Sequence, residues 1–214
     1  MRILASLVLA TLVGGCQLDS QVPAEERAVP ARPAAPAAAS DAIHDAADDP
    51  VQRDTIRVEG QATPILALRV HEPDFAVPFD TRVPEGMAVE TVTMGERDVA
   101  RFTLGEPPAR STLTVTILSP RRETVADAAS VAREFAEAMG TVTEGDGAAP
   151  AWALAAFRAE GVGRSGDVWL GRHGTRFFTV QTDLAAGAAD GMSPRVAYIL
   201  DRWRWLDDRT GLAS

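Results

Sequence analysis

Few side chains in this sequence are able to do chemistry. The 214 residues hold one cysteine, Cys16, and three histidines, His44, His71 and His173, too scattered to assemble a Cys/His metal site locally. All 21 basic residues are arginine, which excludes Schiff-base and Walker-type lysine chemistry, and the lack of asparagine excludes an N-glycosylation sequon. Gly161-Val162-Gly163-Arg164-Ser165-Gly166 has the spacing of a dinucleotide fingerprint, in which glycines let the backbone approach a pyrophosphate at a helix N-terminus. That motif must follow a strand and open a helix, whereas here the strand-like Val168-Trp169-Leu170 comes next, so the segment reads as a turn. His173 has Asp167, Asp183 and Ser165 nearby in sequence, the residue types of a hydrolase triad. No G-x-S-x-G elbow presents the serine, and a histidine between Arg172 and Gly174 reads as a solvated hairpin tip. Glu144-Gly145-Asp146-Gly147 offers carboxylates to calcium without the EF-hand ligand spacing or its closing glutamate, and reads as a solvated loop. The sequence therefore assigns no catalytic, cofactor-binding or metal-binding residue.

Two places remain where residue types point to recognition. Near the C-terminus Arg202, Trp203, Arg204 and Trp205 alternate, so a strand there would put the arginines on one face and the tryptophans on the other. Tyr198, Arg202 and Arg204 are the candidate partner-docking residues, because arginine and aromatic side chains dominate protein interfaces. The plainer alternative has the tryptophans complete the core, with Trp152 and Trp169, while the arginines pair with acids such as Asp207 and Asp208.

The other place is the N-terminus. Arg2 precedes an apolar run from Ile3 to Val13, the length of a secretory h-region and well short of the roughly 20 residues that cross a bilayer. It ends in Leu12-Val13-Gly14-Gly15-Cys16, which resembles the lipobox of bacterial lipoproteins. Small side chains let an extended strand enter a peptidase cleft, and the Cys16 thiol is the nucleophile for diacylglyceryl transfer. The resemblance implies a signal peptide over 1–15, a lipid attached to Cys16 and, because Gln17 rather than Asp follows it, sorting to the periplasmic face of the outer membrane in a host with two membranes. Two or three acyl chains hold a protein on a membrane where one does not. Val13 and Gly14 depart from the commonest Leu-Ala/Ser pair.

Residues 16–52 hold five prolines, eleven alanines, seven acids and only two arginines, too little apolar surface to bury a core. They read as an acidic tether spanning about 35 Å as a flexible coil. The whole chain carries a formal charge of -9 and no polybasic stretch, which argues against nucleic acid and makes the lipid, not a basic patch, the expected means of membrane attachment.

Residues 53–214 read as one domain. Ile56 and Val58, then Leu66, Leu68 and Val70, alternate with polar residues; Phe75 to Phe79 is a further extended stretch closed by Pro84-Glu85-Gly86. Strands are expected at 88–94 and 98–104 around Gly95-Glu96, and at 112–118, where Leu113, Val115 and Ile117 face one way and three threonines the other. Thr124 and Asp127 start a helix whose stripe is Val125, Ala128, Ala132, Phe135 and Met139, with Gly140 as the stop. Alanine-rich 151–160 is expected to be helical, although Trp152, Leu154 and Phe157 also suit a buried strand. A hairpin about Gly171–Gly174, a last helix capped by Ser193-Pro194 and a closing strand complete the order.

This order predicts an α+β fold, a largely antiparallel sheet with packed helices. The extended Phe segment leading into Val83-Pro84-Glu85-Gly86-Met87, the strand-helix unit 112–139 and the ending Arg195 to Trp203 resemble the PsbP-like and DcrB-like α/β/α sandwiches, over residues 55–206. The resemblance implies a non-enzymatic domain that binds or helps assemble a protein partner, and carries over no site residue. A lipid or small-ligand carrier with an apolar pocket, and a hydrolase with a site built from distant residues, are the alternatives.

Overall fold

The computed structural model describes residues 49–145 and 149–212. The expected signal segment 1–15, Cys16, the tether up to residue 48, and Asp146 and Gly147 of the acidic loop lie outside the described residues. In chain order the elements are β1 (Val51–Val58), β2 (Gln61–Glu72), β3 (Phe79–Pro84), β4 (Ala88–Met94), β5 (Arg97–Leu104), β6 (Ser111–Ile117), α1 (Val125–Glu137), β7 (Thr141–Glu144), β8 (Ala155–Gly161), β9 (Arg164–His173), β10 (Arg176–Ala185), α2 (Ala189–Asp201) and β11 (Arg204–Trp205). This is α+β, with every strand pairing antiparallel. The strands divide between two sheets, a four-stranded one in the order β1-β2-β3-β11 and a seven-stranded one in the order β4-β5-β6-β10-β9-β8-β7. Glu85 and Gly86, between β3 and β4, carry the chain from the first to the second.

Alternation in the sequence sets which face of each strand is buried. Ala100 and Phe102 of β5, Leu113, Val115 and Ile117 of β6, and Phe178 and Val180 of β10 make one face of the large sheet. Against it pack Phe79 and Val83 of β3, Met192, Val196 and Ile199 of α2, and Trp203 and Trp205. On the opposite face α1 sets Ala128, Val131, Ala132 and Ala136 over Phe157 and Ala159 of β8, Val168 and Leu170 of β9, and Phe177 of β10. Alanines at the helix surface let its backbone lie close to the sheet. Thr124 caps α1, its hydroxyl oxygen accepting the Asp127 amide at 3.1 Å. Val125, expected on the buried stripe, is exposed, because it is the first helical residue and lies beyond the sheet.

Several sequence expectations are corrected. Residues 155–161 form strand β8 rather than part of a helix: Ala155, Phe157 and Ala159 face α1 while Arg158 and Glu160 face solvent, a period of two that overrides alanine's helical preference. Helix α2 begins at Ala189, so Pro194 lies inside it rather than at its first position, and Ser193 is not its cap. Turns occupy 73–77, and the strand starts at Phe79. Of the G-x-G-x-x-G segment, expected to be a turn throughout, only Val162 and Gly163 form the β8–β9 hairpin turn, Gly163 at φ +68° where a side chain would be strained; Gly161 ends β8, and Arg164 to Gly166 open β9. The β9–β10 turn is Gly174-Thr175, which leaves His173 within the strand. Val51 and Gln52, placed in the tether by composition, belong to β1.

Candidate functional site

Three groups of residues have the chemistry for recognition or catalysis. The first contains the expected docking residues. Arg202 is the C-cap of α2 and not a strand residue, so the four-residue alternation reduces to Arg204-Trp205. Trp203 and Trp205 are buried at 0% and 1% exposure, as the plainer alternative had it. The arginines do not pair with Asp207 or Asp208. Arg202 instead donates to Asp54 Oδ2 of β1 at 2.7 Å and to Asp201 at 2.7 Å, and its guanidinium lies 4.9 Å from the centre of the Tyr198 ring. Tyr198 packs on Ile56, Ile65 and Ala67, and its hydroxyl donates to the same Asp54 oxygen at 3.0 Å. Arg204 donates to the Asp201 carbonyl at 2.9 Å, and its side chain is exposed. Tyr198 and Arg202 thus clamp the β1–β2 hairpin onto α2.

The Arg202 hydrogen bond, with help from those of Thr55 and Tyr198, holds the Asp54 carboxyl below its usual value, while burial, first, and Asp54 push the Tyr198 phenol up. A carboxylate whose pKa is lower in the folded state adds stability above its unfolded pKa, and loses it as pH falls below about 4. The wild type is therefore expected to lose more melting temperature than Asp54→Asn between pH 5 and pH 3. At neutral pH the variant should be less stable by about 1 kcal/mol, since the pair is partly solvated. Equal acid slopes in thermal melts would remove Asp54 as the clamp.

The second group is one the sequence hid. His173, at the end of β9, stacks on Trp205 with ring centres 4.8 Å apart. Its Nε2 lies 2.9 and 3.0 Å from the carboxylate oxygens of Asp207 and 3.8 Å from Asp208 Oδ2. Thr210 donates its hydroxyl, at 2.7 Å, and its backbone N–H, at 2.9 Å, to Asp208 Oδ1. Those bonds, the side-chain one first, hold the Asp208 carboxyl below its usual value. The arrangement is not a hydrolase triad: Thr210 points its hydroxyl at Asp208, and Ser165, across from Leu184, lies at the far end of β9 from His173. The acids thought near His173 are engaged elsewhere, Asp183 with Arg164 at 2.7 Å and Asp167 with Arg158 at 3.4 Å. His71 lies 3.8 Å from Asp80, which Arg69 already holds.

The third group is a surface. Helix α1 packs mainly over β7, β8 and β9, and at its end Phe135 meets the Arg97 guanidinium of β5 at 5.5 Å; Val99 and Thr116 on this face are buried, while Arg101 and the residues of β4 beyond them carry no helix. Antiparallel register puts Glu90, Val92 and Met94 beside Arg101, Val99 and Arg97, and Arg101 and Val99 beside Thr114 and Thr116. Between that face and Phe135 of α1 runs a cleft of about 350 Å³ lined by Met94, Arg97, Val99, Arg101, Thr114 and Gln181 among others. A neighbouring cleft of about 420 Å³ shares Met94 and Arg97 and adds Arg121 and Arg122. Among the described residues Glu90 pairs with Arg101 and Glu96 with Arg121, whereas no carboxylate pairs with Arg97 or Arg122. Strand β4 is a sheet edge, with Val89, Val92 and Met94 exposed. The threonine face was legible in the sequence; the arginine grouping was not, because Arg97 and Arg101 come from one strand and Arg121 and Arg122 from the loop after β6.

No protein-family model, curated protein or solved structure matches the chain. No helix among the described residues is long and apolar enough to cross a membrane, which leaves β-barrels unaddressed.

Proposed function

We propose that this protein is a lipid-anchored, non-enzymatic binding module of the bacterial cell envelope, attached through Cys16, tethered by the acidic segment 16–50, and built on a PsbP-like sandwich. Its partner is a protein presenting an extended acidic segment. The observation that carries the reading is the exposed edge strand β4, with Val89, Val92 and Met94 open to solvent and the edge's backbone groups beside Arg97 and Arg122. Such an edge pairs with an extended chain through main-chain hydrogen bonds, and the arginines select acids in it. The large clefts are surface grooves with arginines in their walls, and the apolar clusters on both faces of the large sheet are filled by side chains; both points favour a binding module over an apolar carrier. Tyr198 and Arg202 would have to leave Asp54 to meet a partner, so of the three expected docking residues only the exposed Arg204 is free of that cost.

The test places a photo-crosslinking residue at Met94 in one strain and at Val162, the exposed tip of the β8–β9 turn, in another. A discrete adduct from position 94 that Arg97→Glu removes, and none from 162, is expected. Equal labelling at both positions, or none at 94, would refute the docking face. Fractionation of wild type and Cys16→Ala checks the anchor: only the variant should be soluble after export, and a wild type released by salt would contradict the lipid.

A further inference from the structure

We propose that His173, Asp207 and Asp208 form a binding site for a divalent transition-metal cation, of the Zn²⁺ or Mn²⁺ kind, that fastens the turn after β11 to the β9–β10 hairpin. One atom from each, an imidazole nitrogen and two carboxylate oxygens, can be chosen so that all lie within 4.8 Å of one another. A cation with bonds of about 2.0–2.2 Å holds adjacent donors about 3.0–3.5 Å apart. The separations from His173 Nε2, 2.9 and 3.0 Å to Asp207 and 3.8 Å to Asp208, straddle that range, and the half-exposed carboxylates have room to close the remainder of the 4.8 Å set around one cation.

The donors are held by structure rather than by chance meeting. The His173 ring is fixed against Trp205, and the turn bearing the two acids is closed by Trp205 N–H to the Thr210 carbonyl at 2.8 Å and Arg209 N–H to the Trp205 carbonyl at 3.0 Å. Both Thr210 donors occupy Asp208 Oδ1, and Oδ2 is the oxygen on the His173 side, an outer contact of the kind that orients metal ligands.

Charge argues in the same direction. Two carboxylates stand side by side, and His173 is their only ionic partner among the described residues. Arginines are close in sequence or register: Arg176 is the cross-strand neighbour of His173, Arg172 precedes it, and Arg209 follows the acids. None pairs with either acid, and Arg172 is turned to the Gly174 carbonyl and the Phe177 ring. The two carboxylates carry two negative charges, which one divalent cation compensates. One imidazole with carboxylates is a donor set that suits Zn²⁺ and Mn²⁺ better than thiolate-seeking ions. Three protein donors leave positions for water, and binding releases any proton on Nε2. This site is independent of the β4 docking face.

The test uses the full chain with Cys16→Ala, which removes the thiol as a competing ligand, and compares it with the same chain carrying His173→Gln or Asp208→Asn. Zn²⁺ binding is followed by equilibrium dialysis, and Co²⁺ binding by quenching of tryptophan fluorescence. The parent is expected to bind one more Zn²⁺ than either variant, or to bind it about tenfold more tightly or better. It should also show Co²⁺ quenching, of the kind expected for an ion beside Trp205, that both variants lose. Circular dichroism identifies a variant that fails to fold; half-exposed Asp208 makes the second variant the safer one. Equal Zn²⁺ stoichiometry and affinity in the parent and a folded variant, or no binding by the parent, would overturn the site.

Discussion

Trp203→Ala is expected to destabilise the protein by about 3–5 kcal/mol, the range for deleting a fully buried large aromatic. The indole has no solvent exposure, stacks on Phe79 at 4.1 Å and meets Phe102 and Trp205 edge-on at 6.4 and 5.5 Å. It joins both sheets and the end of α2, so the cavity has few ways to collapse. Trp203→Phe separates packing from polarity. Among the described residues the buried indole Nε1 has no hydrogen-bond partner, and such a donor costs about 1–3 kcal/mol. Phenylalanine removes that donor and keeps much of the stack, so its net effect should fall within about 1 kcal/mol of wild type. Urea unfolding of the three proteins decides the matter; Phe and Ala variants that are equally unstable would mean the stack on Phe79 contributes little.

Gly166→Ala should cost about 2–3 kcal/mol, at the upper end of what overpacking does. A Cβ there would lie 1.9 Å from the Thr182 carbonyl oxygen, 3.0 Å from its carbon and 3.4 Å from Asp183 Cα, all backbone atoms of β10 that no rotamer change can clear. Relief requires β9 and β10 to part where Thr182 Oγ1 accepts the Asp167 amide at 3.0 Å. Gly163→Ala, three residues earlier, meets nothing within 4 Å and carries only the strain of φ +68°, about 1 kcal/mol. Thermal melts with amide exchange across β9 and β10 should rank Gly166→Ala well below Gly163→Ala. The reverse order would show that the turn, not the close strand approach, is what needs glycine.

These glycines show what a motif read without its setting conceals. Gly161 to Gly166 has the spacing of a dinucleotide fingerprint, and the following strand-like Val168-Trp169-Leu170 argues against that reading. Why Gly166 must be glycine was not legible, because the atom it avoids belongs to Thr182, sixteen positions on. The same division runs through the candidate sites. The threonine face of β6 followed from alternation alone, but that Thr116 on it is buried while Thr112 and Thr114 stay half-buried depends on neighbours the strand itself does not encode. Asp207 and Asp208 looked like partners for nearby arginines; the fold gave Arg202 to Asp54, 148 residues away, and His173 to the two acids.

Local patterning by itself determined the strands of β5 and β6, the start of α1 and the antiparallel α+β class, because period and capping act over a few residues and are written in adjacent side chains. Tertiary structure decided that 155–161 is a strand, since alanines facing a helix on one side and charges facing water on the other outweigh a weak local propensity. It also decided that strands divide into two sheets, and that a histidine, two aspartates and a tryptophan meet. Pairing of distant segments is settled by which buried surfaces fit one another, a property of the whole chain that no short window of sequence contains.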